Sequence, residues 1–583
     1  METSNPQEMM AAWTRQIYSP EVLQAWFAQR QIVPPLPGAP DPADFPLTLD
    51  SAAMAALQRQ YMEELSGLWQ TLVAAKPLQA RDKRFTSPAW QESALHAFQA
   101  AAYLLNTRFL ISMAETVEAP PAVKKKLRFT LQQLAEAMSP CNFLASNPEA
   151  QREILQTQGE SLVRGIAHML ADLRKGRISQ SDESAFEVGR NVATSEGAVV
   201  FENHLFQLIQ YRATTPTVHE RPLLIVPPCI NKFYILDLQP ANSLVRYAVE
   251  QGNTVFLISW RNPDASLTRV GWGDYIEDAV IQAIDVVRAI TRQDQINTLG
   301  FCVGGTLLAT ALAVMYGRGE RPASSVTLLT TMLDFSDTGV LAVYIDENQV
   351  SQRERDIGIK GLMPGGDFAA AFSSLRPSDL IWNYVESRYL KGQEPAAFDL
   401  LYWNADSTNL PGPMFCWYLR NLYLENSLKE PGRLKVAGQP LDLGRIAAPA
   451  FIFASREDHI VPWGTAYATL GLINRDQPSR NRFILGASGH IAGVINPPEK
   501  NRRSYWKLTS GKLTSEKPSS EATGLDAQDW LAAASEQPGS WWPEWAQFLS
   551  AHGGAQRKAP GKYGNRSYQP IEPAPGRYVK VRV

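Results

Sequence analysis

The feature that most constrains this chain is a cysteine framed by glycines, in the run Gly300-Phe301-Cys302-Val303-Gly304-Gly305. A strand-like run from Ile296 precedes the cysteine, and an apolar, helix-like run to Gly317 follows it. Small residues on both sides of a nucleophile let the backbone turn sharply from strand to helix, and the helix N-terminus then points backbone donors at the exposed side chain. This glycine-flanked segment therefore predicts a nucleophile at a corner between a strand and a helix. Because a free cysteine is also a common small core residue, the prediction requires a catalytic base and an acid elsewhere in the chain.

After residue 197 the sequence alternates short β-branched or aromatic runs with helical patterns. Such alternation predicts a mostly parallel sheet flanked by helices, and with the cysteine corner it indicates an α/β-hydrolase-type fold. The alternation breaks between Asp334 and about Ile446, where we expect a cap that shields the site from water. We assign residues 197–583 to this catalytic domain, with the cap at about 335–446. The predicted strands are 198–200, 205–211, 223–226, 255–259, 296–301, 326–330, 451–454 and 483–485.

The first part of the chain has a different character. Residues 1–50 end in a proline-rich stretch and are predicted to form a partly disordered tether, whereas residues 51–196 carry helical periodicity and are predicted to form a helical N-terminal domain. The basic tail after residue 559 is expected to be solvated.

Composition excludes several classes of function. A formal net charge of -2 argues against nucleic-acid binding. Four widely spaced cysteines without C-x-x-C pairs fit reduced cytosolic thiols, so we expect no disulfide framework, no metal site and no cofactor. The N-terminus lacks a signal-peptide pattern, and the uncharged run 295–317 contains a strand and a glycine turn. We therefore expect a cytoplasmic protein with no transmembrane segment.

A cysteine nucleophile needs a base and an acid, which follow it in this order in α/β-hydrolases. His490 lies in a loop of small residues after the last predicted strand and is the preferred base. Asp458 follows the preceding strand and is the preferred acid, with Glu457 and Asp334 as rivals. His459 adjoins Asp458 directly and is interpreted as a pocket or structural histidine.

These residues imply a mechanism. His490 takes the proton of Cys302, and the thiolate attacks a thioester carbonyl, since exchange between thioesters is nearly thermoneutral. The backbone N–H of Val303 would hold the oxyanion. The second donor is expected from the loop after residue 226, where two prolines leave Cys229 or Ile230 as the backbone donor, with Ile230 our choice.

Three blocks of sequence resemble the active-site blocks of polyhydroxyalkanoate synthases, most closely those of class I. They are Gly300 to Thr306, Ser455 to Trp463 and Gly489 to Val494, and the resemblance extends to 226–232, 259–264 and 572–578. The resemblance implies transfer of (R)-3-hydroxyacyl groups, short-chain ones such as 3-hydroxybutyryl, from coenzyme A to a polyester carried on Cys302. Coenzyme A is then a released product.

The resemblance also implies further roles and partners. Arg376 matches an arginine associated with the coenzyme A path, and His459 is grouped with it as a substrate contact. Asp458 either orients His490 or deprotonates the 3-hydroxyl of the acyl group, and the sequence leaves both open. The expected assembly is a homodimer at the surface of intracellular polyester granules, beside granule-coating proteins.

Two other functions fit parts of the sequence. A cysteine-dependent thioesterase of the same fold would release free acid to water. A non-catalytic granule-bound structural protein would keep the fold without turnover, although the set Cys302, Asp458 and His490 argues against it.

Overall fold

The structure is a computed structural model that describes residues 48–78, 80–508 and 525–583. Almost all of the predicted tether, residues 1–50, lies outside the described residues. The chain divides into two compact units. One comprises the chain up to Ile178 together with Arg376–Gln393, and the other comprises Ser179–Leu375 and Glu394–Val583. The predicted boundary at 196/197 thus falls at the first strand of the large sheet, 18 residues after the helical unit ends.

The first unit is helical, as the periodicity predicted. Asp50 begins its first helix by accepting hydrogen bonds from the backbone N–H groups of Ala52 and Ala53. Tyr61 on this helix packs against Phe109, with ring centroids 4.6 Å apart, and its hydroxyl donates to Asn106 at 2.7 Å. The helices are α1 (Ser51–Val73), α2 (Pro88–Glu92), α3 (Ala94–Glu115), α4 (Pro121–Ala137), α5 (Pro148–Gln156) and α6 (Glu160–Lys175).

Helix α6 buries its polar and small residues and exposes its large apolar ones. A Cβ on Gly165 would lie 2.0 Å from the carbonyl oxygen of Tyr389, so only glycine permits this close packing. Asp172, on the same face, accepts from Arg388 Nε at 3.1 Å within the interior. The opposite face carries an apolar stripe of exposed side chains, namely Val163, Ile166, Leu170 and Leu173.

The second unit is built on an 11-stranded sheet in the order β10-β9-β8-β7-β6-β5-β3-β4-β2-β1-β11. The strands from β3 to β8 are parallel where they pair with one another, and the strands at the two edges are antiparallel. The bounds are β1 (Gly197–Glu202), β2 (Phe206–Tyr211), β3 (Leu223–Val226), β4 (Val255–Trp260), β5 (Ile296–Phe301), β6 (Ala323–Leu329), β7 (Ala450–Ser455), β8 (Arg482–Gly486), β9 (Ser504–Lys507), β10 (Ser535–Pro538) and β11 (Glu572–Pro573).

Helices cover both faces of this sheet, so its central strands are buried on both sides. Leu224 and Phe256 face one apolar cluster, and Leu223 and Leu257 face the other. This double burial explains why the strands appear in the sequence as continuous apolar runs rather than as alternations. The helices of this unit are α7 (Leu244–Glu250), α8 (Gln282–Thr291), α9 (Val303–Gly317), α10 (Glu347–Ile357), α11 (Gly365–Ser374), α12 (Asp399–Asn404), α13 (Gly412–Tyr418), α14 (Trp463–Ala468), α15 (His490–Val494), α16 (Ala527–Ala533) and α17 (Trp542–His552).

The predicted α/β-hydrolase-type fold is confirmed, and all eight predicted strands are present with bounds that differ by a few residues at most. The insertion between β6 and β7 also exists, and it carries α10 to α13 with short π-helical and 3-10 segments. Residues 376–393 of this insertion belong to the helical unit. In the described part of the chain, no helix is both long and apolar enough to cross a bilayer.

The tail after residue 559 is only partly solvated. Residues 560–562 are exposed, as the charge of the tail predicted, but strand β11 pairs with β1 at the edge of the large sheet and Val579 is 1% exposed. For this later segment the prediction was wrong, because it packs against the sheet, where Arg577 forms an ion pair with Glu202 at 2.6 Å.

Candidate active site

Cys302 lies on the corner between β5 and α9, with φ 53° and ψ -128°. This positive φ is strained for a residue with a side chain and costs of order 1–3 kcal/mol. It turns the chain abruptly, so the thiol projects from the carboxyl end of β5 and α9 begins one residue later. The cysteine N–H donates to the Leu329 carbonyl of β6 at 2.9 Å, which fixes the corner to the neighbouring strand.

The glycines around the cysteine are required by close backbone contacts. A Cβ on Gly300 would lie 2.3 Å from the Cα of Gly305, and a Cβ on Gly304 would lie 2.3 Å from the carbonyl oxygen of Val226. Real Cβ atoms do not approach so closely. The glycines therefore bring α9 directly against the ends of β5 and β3, and this sharp turn is the one that the glycines around Cys302 predicted.

His490 and Asp458 form a buried pair beside this corner. The carboxylate can only accept, so His490 Nδ1 donates to Asp458 Oδ2, at 2.6 Å. The other carboxylate oxygen accepts the backbone N–H groups of Ile460 and Val461, both at 2.9 Å. The Asp458 side chain is 0% exposed, so both of its oxygens are held by the protein.

Two tryptophans hold the short helix α15 that carries His490. Trp541 Nε1 donates to the Gly493 carbonyl at 3.0 Å, and Trp542 Nε1 donates to the Val494 carbonyl at 2.9 Å. Both indoles are essentially buried. These two side chains therefore stabilise the helix of the candidate base from inside the core.

The charged groups of the site change the pKa of His490. Burial by itself lowers the pKa of the imidazole, but the Asp458 carboxylate and the Cys302 thiolate, both of which also hydrogen-bond the ring, raise it to about 10. The protonated ring is thus stabilised between an acid on one side and a sulfur on the other. This arrangement can hold a proton at His490 and deliver it to a leaving group.

Of the three candidate acids, Asp458 is the one that contacts His490. Asp334 instead accepts from Asn426 at 2.7 Å and from Lys429 at 3.2 Å, and Glu457 is exposed. His459 is half-buried beside the pair, and its backbone carbonyl accepts from Val340 at 3.4 Å. Its role as a substrate contact stays a prediction.

The two candidate oxyanion donors are near the corner. Val303 is the first residue of α9, where the backbone N–H has no intrahelical acceptor. Ile230 lies in the loop after β3, and its carbonyl accepts from the Thr408 N–H at 2.9 Å, which fixes the loop from the cap side. The donor roles themselves stay predictions.

Arg376 is placed in the helical unit, where it pairs with Asp379 at 2.6 Å. Asp379 also accepts from Lys83 at 2.6 Å. The pair is largely exposed, so it contributes little to stability. A role of Arg376 toward coenzyme A remains a prediction.

The cap contributes two residues that the sequence reasoning did not single out for the site. Burial raises the pKa of Tyr418 and of Tyr423, and both phenols interact electrostatically with Cys302. Their rings meet edge to face with centroids 5.2 Å apart, and Trp272 stacks on Tyr418 at 5.4 Å. The aromatic richness of the insertion was the only sequence signal for them.

The remaining three cysteines are buried core residues. Burial raises the pKa of Cys141 and of Cys229 to about 12 and that of Cys416 to about 11. They therefore stay protonated at neutral pH and are inert. Cys302 is only half-buried, and all four thiols are unpaired.

Known proteins resemble this chain along most of its length. A family model described as "Poly-beta-hydroxybutyrate polymerase (PhaC) N-terminus" matches residues 81–248, and one described as "alpha/beta hydrolase fold" matches residues 222–497. The chain is 55% identical to the poly(3-hydroxyalkanoate) polymerase subunit PhaC of Cupriavidus necator, over 91% of this chain and 89% of that protein. It is 40% identical to the poly(3-hydroxyalkanoate) polymerase of Methylorubrum extorquens, over 91% and 85% respectively.

Among solved structures, a monoacylglycerol lipase from Paleococcus ferrophilus matches 48% of this chain and 90% of its own, with 14% identity and a TM-score of 0.29.

The raised pKa of His490 predicts an alkaline limit to acyl transfer. The protonated ring is present below the folded-state pKa and is lost as pH rises through about 10, so the initial rate of thiol release from a thioester should fall there. Asp458→Asn removes the largest interaction that raises this pKa. We expect the midpoint of the alkaline fall to move down by at least about one pH unit, and the maximal rate to fall roughly 10²- to 10⁴-fold.

Initial rates measured from neutral to strongly alkaline pH for both proteins test this. An Asp458→Asn midpoint equal to that of the wild type would contradict the assignment of the charge pair. Glu457→Gln, which changes the exposed neighbouring carboxylate, serves as the matched control and should keep the wild-type profile.

Proposed function

This chain belongs to the poly(3-hydroxyalkanoate) polymerase family, and from that premise we propose how it polymerises 3-hydroxyalkanoate units. (R)-3-Hydroxyacyl groups are transferred from coenzyme A to a polyester that Cys302 carries as a thioester, with the 3-hydroxyl of the acyl group as the next nucleophile and with no bound cofactor. The observation that carries this mechanism is the corner that presents the Cys302 thiol beside the buried pair of His490 and Asp458.

Acylation begins with the transfer of the Cys302 proton to His490. The thiolate attacks the thioester carbonyl, and the oxyanion is held by the N–H of Val303 and by a second donor from the loop after β3, for which we propose Ile230. When the tetrahedral intermediate collapses, His490 returns its proton to the sulfur of coenzyme A. The acyl group is then a thioester on Cys302.

Elongation needs a hydroxyl in place of the thiol. His490, neutral again, accepts the proton of a 3-hydroxyl, whose oxygen attacks the acyl carbon on Cys302. The new ester forms as the bond between this carbon and the Cys302 sulfur breaks, and His490 returns the proton to that sulfur. Asp458 is placed to hold the imidazole ring rather than to contact the hydroxyl. One of its oxygens accepts from His490, the other accepts from two backbone N–H groups, and the side chain is 0% exposed. We therefore favour Asp458 as the residue that orients His490 rather than as the base.

The monomer is proposed to be short-chain, such as 3-hydroxybutyryl-CoA. Support comes from the family model for a poly-β-hydroxybutyrate polymerase N-terminus and from Tyr418 and Tyr423, two bulky cap residues that interact electrostatically with Cys302. We propose Arg376 as a contact of coenzyme A on the strength of the family resemblance, and His459, which is half-buried and follows Asp458 directly, as a substrate contact.

The proposed function is tested by product identification with 3-hydroxybutyryl-CoA. We expect coenzyme A release together with an insoluble polyester, and an acyl group on Cys302 when the reaction is quenched and the peptides are mapped. Cys302→Ala should lose release entirely, whereas Cys141→Ala, a buried cysteine of the helical unit, should retain it. Free 3-hydroxybutyrate instead of polymer would favour a thioesterase, and a Cys302→Ala protein indistinguishable from wild type would favour a structural protein.

The role of Asp458 is tested by separating the two half-reactions. If Asp458 orients His490, Asp458→Asn should slow both the single-turnover release of coenzyme A and the later growth of the chain, by similar factors. If it were the base for the hydroxyl, the first release would stay near the wild-type rate and only growth would fail. Quenched-flow release and polymer mass over time distinguish the two outcomes.

We further propose that the protein works in the cytoplasm at the surface of polyester granules. The apolar stripe of α6 supports this, because Val163 and Leu173 are 68% and 69% exposed on a face with no packing partner among the described side chains that surround it. A water-insoluble polyester would cover such a face. A homodimer and contacts with granule-coating proteins are proposed from the family resemblance.

Charged substitutions in the stripe test the granule proposal. We expect Leu170→Glu together with Leu173→Glu to lower the fraction of protein that sediments with polyester particles at least severalfold, since carboxylates resist burial in an apolar surface. The release of coenzyme A from soluble substrate should not change. Val73→Glu, at an isolated apolar residue of α1 that is 81% exposed, is the matched control. Equal sedimentation of the stripe variant and the control would contradict the proposal.

A further inference from the structure

The loop from residue 227 to residue 232, here called the donor loop, is fixed along its length. Trp260 Nε1 donates to the Pro227 carbonyl at 2.9 Å. Thr408 of the cap donates through its hydroxyl to the Cys229 carbonyl at 2.5 Å and through its N–H to the Ile230 carbonyl at 2.9 Å. The start of the loop also touches α9, since a Cβ on Gly304 would lie 2.5 Å from the Pro227 oxygen.

Lys232 ends this loop with a buried ammonium group. The residue is 3% exposed, and its Nζ donates to the backbone carbonyl of Val581 at 2.5 Å. Its own carbonyl accepts from Trp403 Nε1 at 2.7 Å. Burial lowers the pKa of Lys232 to about 8, which shows how strongly the site resists a free charge and how much it depends on partners.

The carbonyl that receives this ammonium comes from the far end of the chain, 349 residues away. That segment, Tyr578–Arg582, is firmly attached to the same unit. Val579 is 1% exposed in the core, and the Tyr578 hydroxyl donates to the Asn203 carbonyl at 2.9 Å. The Arg582 guanidinium lies 4.8 Å from the centroid of the Tyr402 ring.

The carboxylate of Asp406, a residue of the cap, interacts with Lys232 and with the tail segment. Asp406 accepts from the Tyr234 hydroxyl at 2.9 Å and interacts electrostatically with both Lys232 and Arg582. The ammonium is therefore held between a carboxylate of the cap and a carbonyl of the tail. Packing alone does not require this arrangement, since an apolar side chain of similar length would fill the space without the cost of burying a charge.

We propose that the segment Tyr578–Arg582 positions the donor loop for catalysis, with Lys232 as the positioning residue that joins the Val581 carbonyl to the loop. The inference rests on the proposed function, in which this loop supplies the second oxyanion donor. The donor must lie where the oxyanion forms, and a misplacement of about 1 Å at such a site costs on the order of 10²-fold in rate. Lys232 itself touches no reacting atom.

Two variants remove the contact from opposite sides. Lys232→Met keeps the length of the side chain and removes the donor, and a stop codon after Lys580 removes the Val581 carbonyl. A stop codon after Arg582 is the matched control, since it shortens the chain but leaves both Val581 and Arg582. The double variant, Lys232→Met with the chain ended at Lys580, tests whether the two changes act on one contact.

Two reactions of Cys302 are compared in each protein. Single-turnover release of coenzyme A from 3-hydroxybutyryl-CoA passes through an oxyanion, whereas alkylation of Cys302 by iodoacetamide does not. We expect both variants to release coenzyme A at least about tenfold more slowly, with KM nearly unchanged, and to be alkylated at the wild-type rate. The double variant should be no slower than the slower single variant, and the control should match the wild type.

The outcomes are separable. Wild-type release rates in Lys232→Met and in the protein ended at Lys580 would overturn the proposal. Parallel losses of release and alkylation, together with a lower thermal midpoint, would also overturn it, because they indicate a packing role. Failure of the proposed function would be seen in the wild-type protein itself, as an absence of acyl-Cys302, before any variant is compared.

Discussion

The approach of three backbone segments at the corner of β5 and α9 is the contact on which the rest of the site depends. Gly300 and Gly305 pass each other at a distance that a methyl group would make impossible, and Gly304 meets the end of β3 in the same way. This packing holds Cys302 at a positive φ that costs of order 1–3 kcal/mol. The cost is offset by the burial of α9, whose apolar side chains lie almost entirely in the core. Without that burial the cysteine would relax to an ordinary conformation and the thiol would leave its position.

The three candidate catalytic residues follow the carboxyl ends of neighbouring strands. Cys302 follows β5, Asp458 lies just after β7, and His490 lies after β8, with β6 between the first two. Parallel strands bring their carboxyl ends to one edge of the sheet. Cys302 and His490, nearly 190 positions apart in sequence, therefore meet although no local pattern around either residue pairs it with the other. The buried indoles of Trp541 and Trp542 then fix α15, and so the reactivity of His490 depends on a helix at the far end of the chain.

Strand runs and the cysteine corner could be predicted from sequence because each is a local pattern. The acid and the base could be predicted because they follow the nucleophile in the order typical of α/β-hydrolases. The edge strands β10 and β11 could not, since Ser535–Pro538 and Glu572–Pro573 contain proline and charge and have little strand character before they pair. Residues 376–393 are a further case. Their place in the helical unit depends on the buried pair of Arg388 and Asp172 and on the close contact at Gly165, which join positions more than 200 residues apart.

A triad of this kind does not by itself separate a polymerase from a thioesterase, since water and a 3-hydroxyl attack the same acyl carbon. The difference must lie in what reaches Cys302. In this chain Cys302 interacts electrostatically with the phenols of Tyr418 and Tyr423, and Trp272 and Phe335 pack against these two rings as an aromatic wall. The ring faces of such a wall favour an acyl chain, which brings its own hydroxyl as the nucleophile. In the proposed mechanism the imidazole of His490, rather than the enclosed carboxylate of Asp458, accepts the proton of that hydroxyl. In the proposed mechanism, selection of the 3-hydroxyl over water would then depend on which nucleophile this surface admits to the half-buried Cys302.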